Sequence, residues 1–129
     1  MSSFDLDPGV RAEVKLLVGD DDTAIAHRSG DVPVLATPRV VALCEEATVS
    51  ALAGALDDAT TSVGARVEIE HKAPSQVGDE VTAIAQLVEV NRRQLTFDVA
   101  LRAADGSRLA EGRIQRVIVD RARFLAAGD

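Results

Sequence analysis

Hydrophobic and polar residues alternate along most of the chain with the two-residue period of a half-buried β-strand. Residues 10–18 place Val14 and Val18 on one face and charged side chains on the other. Later runs are separated by turn residues, among them the Asp105-Gly106 step that is typical of a hairpin. These runs occupy residues 62–71, 80–90, 95–103 and 109–119. The pattern predicts one strand and then, after a gap, four strands whose short connections make neighbours antiparallel.

One long helix is predicted in the gap between the first strand and the other four. Thr37 is a preferred N-cap residue, and Pro38 is favoured at the first helical position. Residues 38–56 are rich in Ala, Leu and Val and contain no glycine before Gly54, so helix propensity and length agree. The order of elements predicts an α+β fold, in which one long helix packs on an antiparallel sheet of about five strands.

Three polar segments are predicted to lie outside this framework. Residues 1–9 end in Pro8-Gly9 and are expected to form a loose N-terminal arm. Residues 20–33 are acidic and rich in small side chains, which indicates a long surface loop. Residues 121–129 are expected to form a short charged tail. Because 129 residues is the length of one ordinary domain, we expect a single domain over residues 1–129.

Composition narrows the classes of function. Hydrophobic residues make up 47% and charged residues 27%, as in a globular protein, and the net charge of −7 opposes general binding to nucleic acid or an anionic membrane. Trp and Tyr are absent and no apolar run reaches a membrane-spanning length, so neither a base-stacking platform nor a membrane span is expected. The N-terminus lacks a signal-peptide pattern, and the expected location is the cytoplasm. Cys44 and two histidines supply too few ligands for a disulfide framework or a metal site, so no metal or cofactor is expected.

Two adjacent carboxylates on the predicted helix point in different directions, because successive helical residues are rotated by about 100°. Glu46 falls on a polar, solvent-facing arc. Glu45 falls on an apolar arc with Val41 and Val49, where a carboxylate is rarely buried without a partner. Glu45 is therefore a candidate for acid–base chemistry, and the alternative is a side chain that reaches solvent from the edge of the packed stripe.

A histidine gives a second, independent signal on the strand predicted over residues 62–71. Strict alternation would place Val63, Ala65, Val67, Ile69 and His71 on the apolar face that the helix covers. Taken alone, His71 is more simply explained as a core or edge histidine with a satisfied ring. Together with Glu45 it predicts a general acid–base pair, formed either within one subunit or across a dimer.

Thr37 adds a third candidate group at the predicted helix start. As a helix cap it would lie where free backbone N–H groups favour negative charge. The amides of Arg39 and Val40 are the donors expected there, since Pro38 has none. Such a position would suit the oxyanion that forms when a carbonyl is attacked.

Other reactive residue types give weaker signals. Cys44 lies on the packed arc of the helix and is expected to be inert, and His27 is expected to be solvated in the acidic loop. Arginines in the C-terminal half are expected to be solvated or paired, with some able to meet phosphate groups at a pocket mouth. These are Arg92, Arg93, Arg113, Arg116, Arg121 and Arg123.

The spacing of these residues resembles that of a known enzyme family. The matching features are the stretch Val34-Leu35-Ala36-Thr37-Pro38, Glu45 eight residues after Thr37, Gly64 seven residues before His71, and Gly112 with Arg116. In this combination the chain resembles the fluoroacetyl-CoA thioesterase family, which has the hotdog fold. The resemblance covers roughly residues 34–124 and, more loosely, the first strand.

The resemblance implies roles for five residues. Thr37, Glu45 and His71 match the family's catalytic threonine, glutamate and histidine. Gly64 matches a glycine whose backbone approaches the substrate, and Arg116 matches a pocket arginine of the last strand. It further implies a homodimer in which two sheets join edge to edge, with acyl-CoA held at the interface and no metal; pairing of dimers into a tetramer is left open.

One segment departs from the family pattern. The fluoroacetate-specific enzyme has aromatic residues just before the Ala-Thr step, whereas residues 29–33 here contain none. The resemblance therefore implies the broader activity, hydrolysis of a small or medium acyl-CoA, with Glu45 as nucleophile or general base. Two alternatives are a non-catalytic acyl-CoA or acyl-carrier binding protein on the same fold and a hydratase or dehydratase. Release of free CoA thiol would distinguish hydrolysis of acyl-CoA from both alternatives.

Overall fold

The predicted strands form one antiparallel sheet in the computed structural model, which describes residues 6–127. The five strands are β1 (Arg11–Leu17), β2 (Thr60–His71), β3 (Glu80–Asn91), β4 (Gln94–Ala103) and β5 (Arg108–Asp120). The helices are a short α1 (Ala24–His27), the long α2 (Thr37–Ala51) and a C-terminal α3 (Arg121–Ala127). The predicted α+β fold, with one long helix and a five-stranded sheet, is confirmed.

The strand order across the sheet is β1-β3-β4-β5-β2, and every neighbouring pair is antiparallel. The tight turns after Asn91 and around Gly106 join β3, β4 and β5 as consecutive hairpins. β2 enters the sheet from the helix and, among the residues that the structure describes, pairs with β5 alone. One side of β2 is therefore a free edge, and β1 forms the opposite edge.

Helix α2 packs on the inner face of the sheet and forms the core with it. Its buried stripe consists of Val40, Leu43, Cys44, Ala47, Thr48 and Ala51. The facing side chains of β3 include Ala83 and Ala85, which are fully buried, and their small size lets the helix lie close to the sheet. Phe97 fills the centre of the core at 0% exposure. The buried stripe leaves Glu45 at its edge and Glu46 in solvent.

The helix begins one residue earlier than the sequence predicts, and Thr37 does not cap it. Ala36 occupies the N-cap position, and its carbonyl accepts hydrogen bonds from the amides of Arg39 and Val40. Thr37 is the first helical residue, and Pro38 follows it within the first turn. The prediction of a Thr37 cap was wrong because the helix recruits the Ala36 carbonyl instead. The two amides proposed for an oxyanion are already engaged.

The predicted alternation of β2 was wrong for its first half, because the strand contains a β-bulge at Ala65. Gly64 pairs with Arg116, but the next pair along the ladder is Arg66 with Gln115. The extra residue reverses which side chains face the helix. Ser62 and Gly64 lie on the inner face before the bulge, as do Val67, Ile69 and His71 after it. Val63 and Ala65, expected on that face, do not lie there.

The segments expected to be irregular contain more structure than the sequence predicts. Residues 20–33 include a 3₁₀ turn (Asp20–Asp22) and helix α1, and Thr23 pairs with Leu35. Residues 121–127 of the C-terminal tail form α3, and its last two residues lie outside the described part. The end of the N-terminal arm is attached to the sheet through the Gly9 amide, which donates to the Leu87 carbonyl at 2.7 Å, while the arm's first five residues lie outside the described part. No helix within residues 6–127 combines the length and apolar character needed to cross a membrane.

Candidate active site

Thr37 and His71 meet at the first turn of α2. The Thr37 hydroxyl and the Nδ1 atom of His71 are 2.8 Å apart, a hydrogen bond between the helix start and the end of β2. Thr37 is exposed, and His71 lies half-buried behind it. The side chain expected to cap the helix is therefore free of the helix backbone and bound to an imidazole instead.

Burial controls the charge of His71. Loss of solvent lowers the pKa of the imidazole below its ordinary value, and a backbone hydrogen bond at Ala73 opposes this only in part. The Nε2 atom is buried and has no hydrogen-bond partner within the part of the chain that the structure describes. The imidazole of His71 is therefore neutral near pH 7, and its Nδ1 atom is the one that contacts the exposed Thr37 hydroxyl.

Glu45 lies two turns further along α2, next to a buried cation. Its Oε2 atom is 3.4 Å from the Nη1 atom of Arg116, whose side chain is 8% exposed, whereas that of Glu45 is 37% exposed. Burial lowers the pKa of the Arg116 guanidinium and the charge of Glu45 raises it, but an arginine remains protonated in any protein site. The pair places a half-exposed carboxylate against a fixed positive charge.

Arg116 is held in place by Ser62 of β2. Its Nε atom donates to the Ser62 hydroxyl at 2.9 Å, and its Nη2 atom donates to the Ser62 carbonyl at 3.1 Å. The sequence pattern indicates no role for Ser62, because strict alternation would place its side chain on the outer face of the sheet. The bulge at Ala65 brings it to the inner face. Arg116, expected among solvated or paired arginines, is a buried residue of the last strand.

Gly64 makes room for the carboxylate of Glu45. A Cβ atom at this position would lie 2.5 Å from Glu45 Oε2 and 3.7 Å from Arg116 Nη1. Any side chain at residue 64 would therefore push the carboxylate away from its present position. The structure thus brings Glu45, Gly64 and Arg116 together with Ser62, and we call these four residues the carboxylate cluster.

The carboxylate cluster and the Thr37–His71 pair are separate within one chain. Glu45 and Thr37 are eight residues apart on the same helix, a rise of about 12 Å at 1.5 Å per residue. Gly64 and His71 are correspondingly distant along β2. The expected direct pairing of Glu45 with His71 is thus not found within a single chain; each belongs to a different half of the candidate site.

The other reactive residues singled out in the sequence do not belong to the carboxylate cluster or to the Thr37–His71 pair. Cys44 is buried, and burial raises the pKa of its thiol to about 12, as expected for an inert core residue. His27 is exposed on α1, and Arg39 forms an ion pair with Asp22 at 2.9 Å. Within residues 6–127, no group of three or more His, Cys, Asp or Glu side chains is placed to hold a metal ion.

A depression of about 760 Å³ lies on the outer face of the sheet, away from α2. Four of the eight charged residues that line it form ion pairs with one another, Arg113 with Asp98 at 3.0 Å and Arg108 with Glu111 at 2.6 Å. None of the five residues that the resemblance singled out contributes to it. The candidate site therefore lies where Glu45 meets Gly64 and Thr37 meets His71, between α2 and β2, and not in this depression.

Comparisons with known proteins identify the family and the fold. The family model for FlK, the fluoroacetyl-CoA-specific thioesterase, matches residues 18–122. The solved structure of FlK is 25% identical, with a TM-score of 0.88 and coverage of 95% of each chain. A phenylalanine-to-alanine variant of FlK in complex with fluoroacetate and CoA is 26% identical, with a TM-score of 0.84, covering 92% of this chain and 99% of that one. No curated protein matches the sequence.

A more distant structure supports the same fold. A thioesterase superfamily member from Thermus thermophilus is 24% identical, with a TM-score of 0.87 over 94% of this chain and 89% of that chain. The family match spans most of the sequence, and the order of elements is that of the hotdog fold. The chain therefore belongs to the fluoroacetyl-CoA-specific thioesterase family and is a thioester hydrolase with the hotdog fold.

Proposed function

We propose that the protein hydrolyses a small or medium acyl-CoA to the free acid and CoA. The choice of a CoA ester is supported by the FlK variant that was solved with fluoroacetate and CoA. The observation that carries the proposal is the Glu45 carboxylate, which is half-exposed yet held against the buried Arg116. A carboxylate held in this way is available to react and cannot swing freely.

Glu45 is the reacting group in this proposal. As a general base it takes a proton from water while the water oxygen bonds to the thioester carbonyl carbon; the C–S bond then breaks and CoA leaves as the thiol. As a nucleophile it bonds to that carbon itself, displacing CoA and forming a mixed anhydride that water hydrolyses. Either route can use the Oε1 atom, because within residues 6–127 the hydrogen bond from Arg116 is made to Oε2.

Thr37 polarises the thioester carbonyl in the same scheme. If Nδ1 of the neutral His71 carries the ring proton, it donates to the Thr37 oxygen at 2.8 Å, and the hydroxyl hydrogen is left to point at the substrate. The Thr37 amide, which has no acceptor among the described residues, supplies a second donor at the exposed helix start. His71 acts through Thr37 and orients its hydroxyl.

A second copy of the chain is needed to complete this site. In one chain the Thr37–His71 pair lies about 12 Å along the helix from Glu45, farther than one thioester group can bridge. Both half-sites adjoin β2, whose free edge offers unpaired backbone groups to another strand. We infer a homodimer in which β2 pairs with the partner's β2 and each site draws one half from each copy.

The bulge at Ala65 gives this pairing a specific register. Around a two-fold axis at Glu68, regular antiparallel strands would place Ala65 opposite the partner's His71. Because the bulge absorbs one residue, Gly64 takes the place opposite the partner's His71, and residues 64 and 71 both lie on the face of the sheet that packs against the helix. The carboxylate cluster of one copy then lies beside the Thr37–His71 pair of the other.

Charges on the outer face of β2 favour the same register. Arg66 of one copy lies opposite the partner's Glu70, and the two-fold axis repeats this pair. Glu68 would meet the partner's Glu68 at the axis, but the Nη2 atom of Arg66 is already 3.5 Å from the Glu68 carboxylate within one chain. An Arg66–Glu70 pair thus lies on each side of the contact between the two Glu68 carboxylates and offsets their repulsion.

The function is tested by measuring thiol release from a panel of acyl-CoAs, from acetyl to long-chain and aryl, with purified wild-type protein. We expect release with a preference for small or medium acyl groups. Binding of acyl-CoA without thiol release, seen as ligand-induced thermal stabilisation, would contradict hydrolysis and favour a binding protein. Turnover of carrier-protein thioesters alone would contradict the choice of CoA.

Two glycine-to-alanine substitutions separate function from stability. Gly64→Ala meets only the flexible end of Glu45, so we expect an almost unchanged melting temperature and a kcat lowered by about 10²-fold through displacement of the carboxylate. Gly112→Ala is the matched control, because its Cβ would lie 1.9 Å from the Glu68 carbonyl oxygen in the backbone of β2. We expect it to destabilise the fold by about 2–4 kcal/mol. Thermal melts and thiol release on both variants check this; an unfolded Gly64→Ala would contradict it.

A further inference from the structure

Ser62 contributes to the candidate site but is assigned no role by the family spacing. We propose that Ser62 is a positioning residue, which fixes the guanidinium of Arg116 and, through it, the carboxylate of Glu45. The inference rests on the proposed hydrolysis at Glu45 and deepens it. It assigns the orientation of the reacting carboxylate to a hydroxyl on the neighbouring strand.

The contacts of Arg116 show how this works. Two of its three guanidinium nitrogens bind the same residue, Nε at 2.9 Å to the Ser62 hydroxyl and Nη2 at 3.1 Å to the Ser62 carbonyl. The third, Nη1, faces Glu45 Oε2 at 3.4 Å. Because the guanidinium is planar and rigid, fixing two nitrogens also fixes the direction of the third. Ser62 thereby aims Nη1 at the carboxylate.

The distances indicate which contact holds the arginine. Charge-assisted N–H···O bonds between an arginine and a carboxylate are usually about 2.7–2.9 Å long, so the contact from Arg116 to Glu45 is stretched. The contact with the Ser62 hydroxyl is the shorter one. Glu45, at 37% side-chain exposure, has solvent to compete with the arginine, whereas Arg116 is almost fully buried. Ser62 thus orients Arg116, and Arg116 orients Glu45.

Of the two hydrogen bonds that Arg116 donates to Ser62, only the one to the side-chain hydroxyl can be removed by mutation. The carbonyl contact to Nη2 is backbone and persists with any residue at position 62. Loss of the hydroxyl leaves the buried Nε–H of Arg116 unpaired, which is unfavourable, and the guanidinium is then free to turn about its remaining contact. The direction of Nη1 changes, and the Glu45 carboxylate loses its fixed position.

The test compares Ser62→Ala, Ser62→Thr and the control Thr61→Val, each with intact Arg116 and in an Arg116→Ala background. Thr61 is one residue away on β2 with its side chain on the opposite face. We expect Ser62→Ala to lower kcat by about 10- to 100-fold with little change in KM, as for other groups that position a reacting residue. Ser62→Thr, which keeps a hydroxyl, is expected to recover most of that loss, and Thr61→Val to leave kcat unchanged.

The double variants separate positioning from general destabilisation. Without Arg116, Ser62→Ala is expected to change kcat by less than about twofold, because the residue through which it acts is gone. The proposed role of Ser62 would be overturned by an unchanged kcat in Ser62→Ala, or by the same loss of kcat with and without Arg116. In either case, turnover by the wild-type protein would still support the proposed function. No thiol release by wild-type protein would overturn the proposed function and this inference with it.

Discussion

Replacement of Glu45 by glutamine is expected to lower kcat for thiol release by about 10²- to 10⁴-fold, the range expected when a general base or nucleophile is removed. An amide neither accepts a proton from water nor attacks a thioester. The glutamine carbonyl still accepts from Arg116 Nη1, so the buried cation keeps a hydrogen-bond partner. The loss is therefore chemical, and the melting temperature should change little.

Glu46 provides the matched control for this substitution. It is the next residue on the same helix, with the same side chain, and it faces solvent. Glu46→Gln is expected to leave kcat and KM unchanged. Equal turnover by wild-type protein and Glu45→Gln, measured at saturating acyl-CoA, would remove Glu45 from the mechanism. Incorporation of ¹⁸O from labelled water into the Glu45 side chain during a single turnover would identify Glu45 as the nucleophile, with water opening the anhydride at the Glu45 carbon.

The elements of the fold were predictable from local patterns because each strand and helix follows its own period. The four later strands lie within two residues of their predicted bounds. The helix begins one residue before its predicted start and ends at Ala51, five residues before its predicted end. The bulge at Ala65 could not be predicted, since period-two alternation contains no mark for an extra residue. That bulge decides that Ser62 and Gly64, rather than Val63 and Ala65, face α2.

The candidate site was predictable in part, and mainly from the spacing of the residues. Glu45 and His71 stood out as polar side chains on apolar faces, and the structure places Glu45 against a buried arginine. The hydrogen bond between Thr37 and His71 was missed because threonine before proline is a common cap signal. Ser62 was missed because its role depends on a partner 54 residues away that only the β2–β5 pairing brings near.

A mixture of two inactive variants is expected to regain activity if each site draws on two chains. Glu45→Gln removes the reacting carboxylate, and His71→Ala removes the ring that orients Thr37. In a mixed dimer, one site combines the intact Glu45 of one copy with the intact Thr37–His71 pair of the other, while the second site carries both lesions. Random re-association of equal amounts should restore about one quarter of wild-type kcat, since half of the dimers are mixed and half of their sites are intact.

The control mixture combines Thr37→Val with His71→Ala. Both substitutions damage the same half-site, so in a mixed dimer each of the two sites contains one damaged pair, and no activity should return. The measurement is thiol release after the two differently tagged variants are unfolded and refolded together. Recovery in the first mixture alone requires that Glu45 and His71 act from different chains. If neither mixture recovers although tandem purification shows mixed dimers, the site lies within one chain, and a movement of β2 along α2 would then have to bring Glu45 to His71.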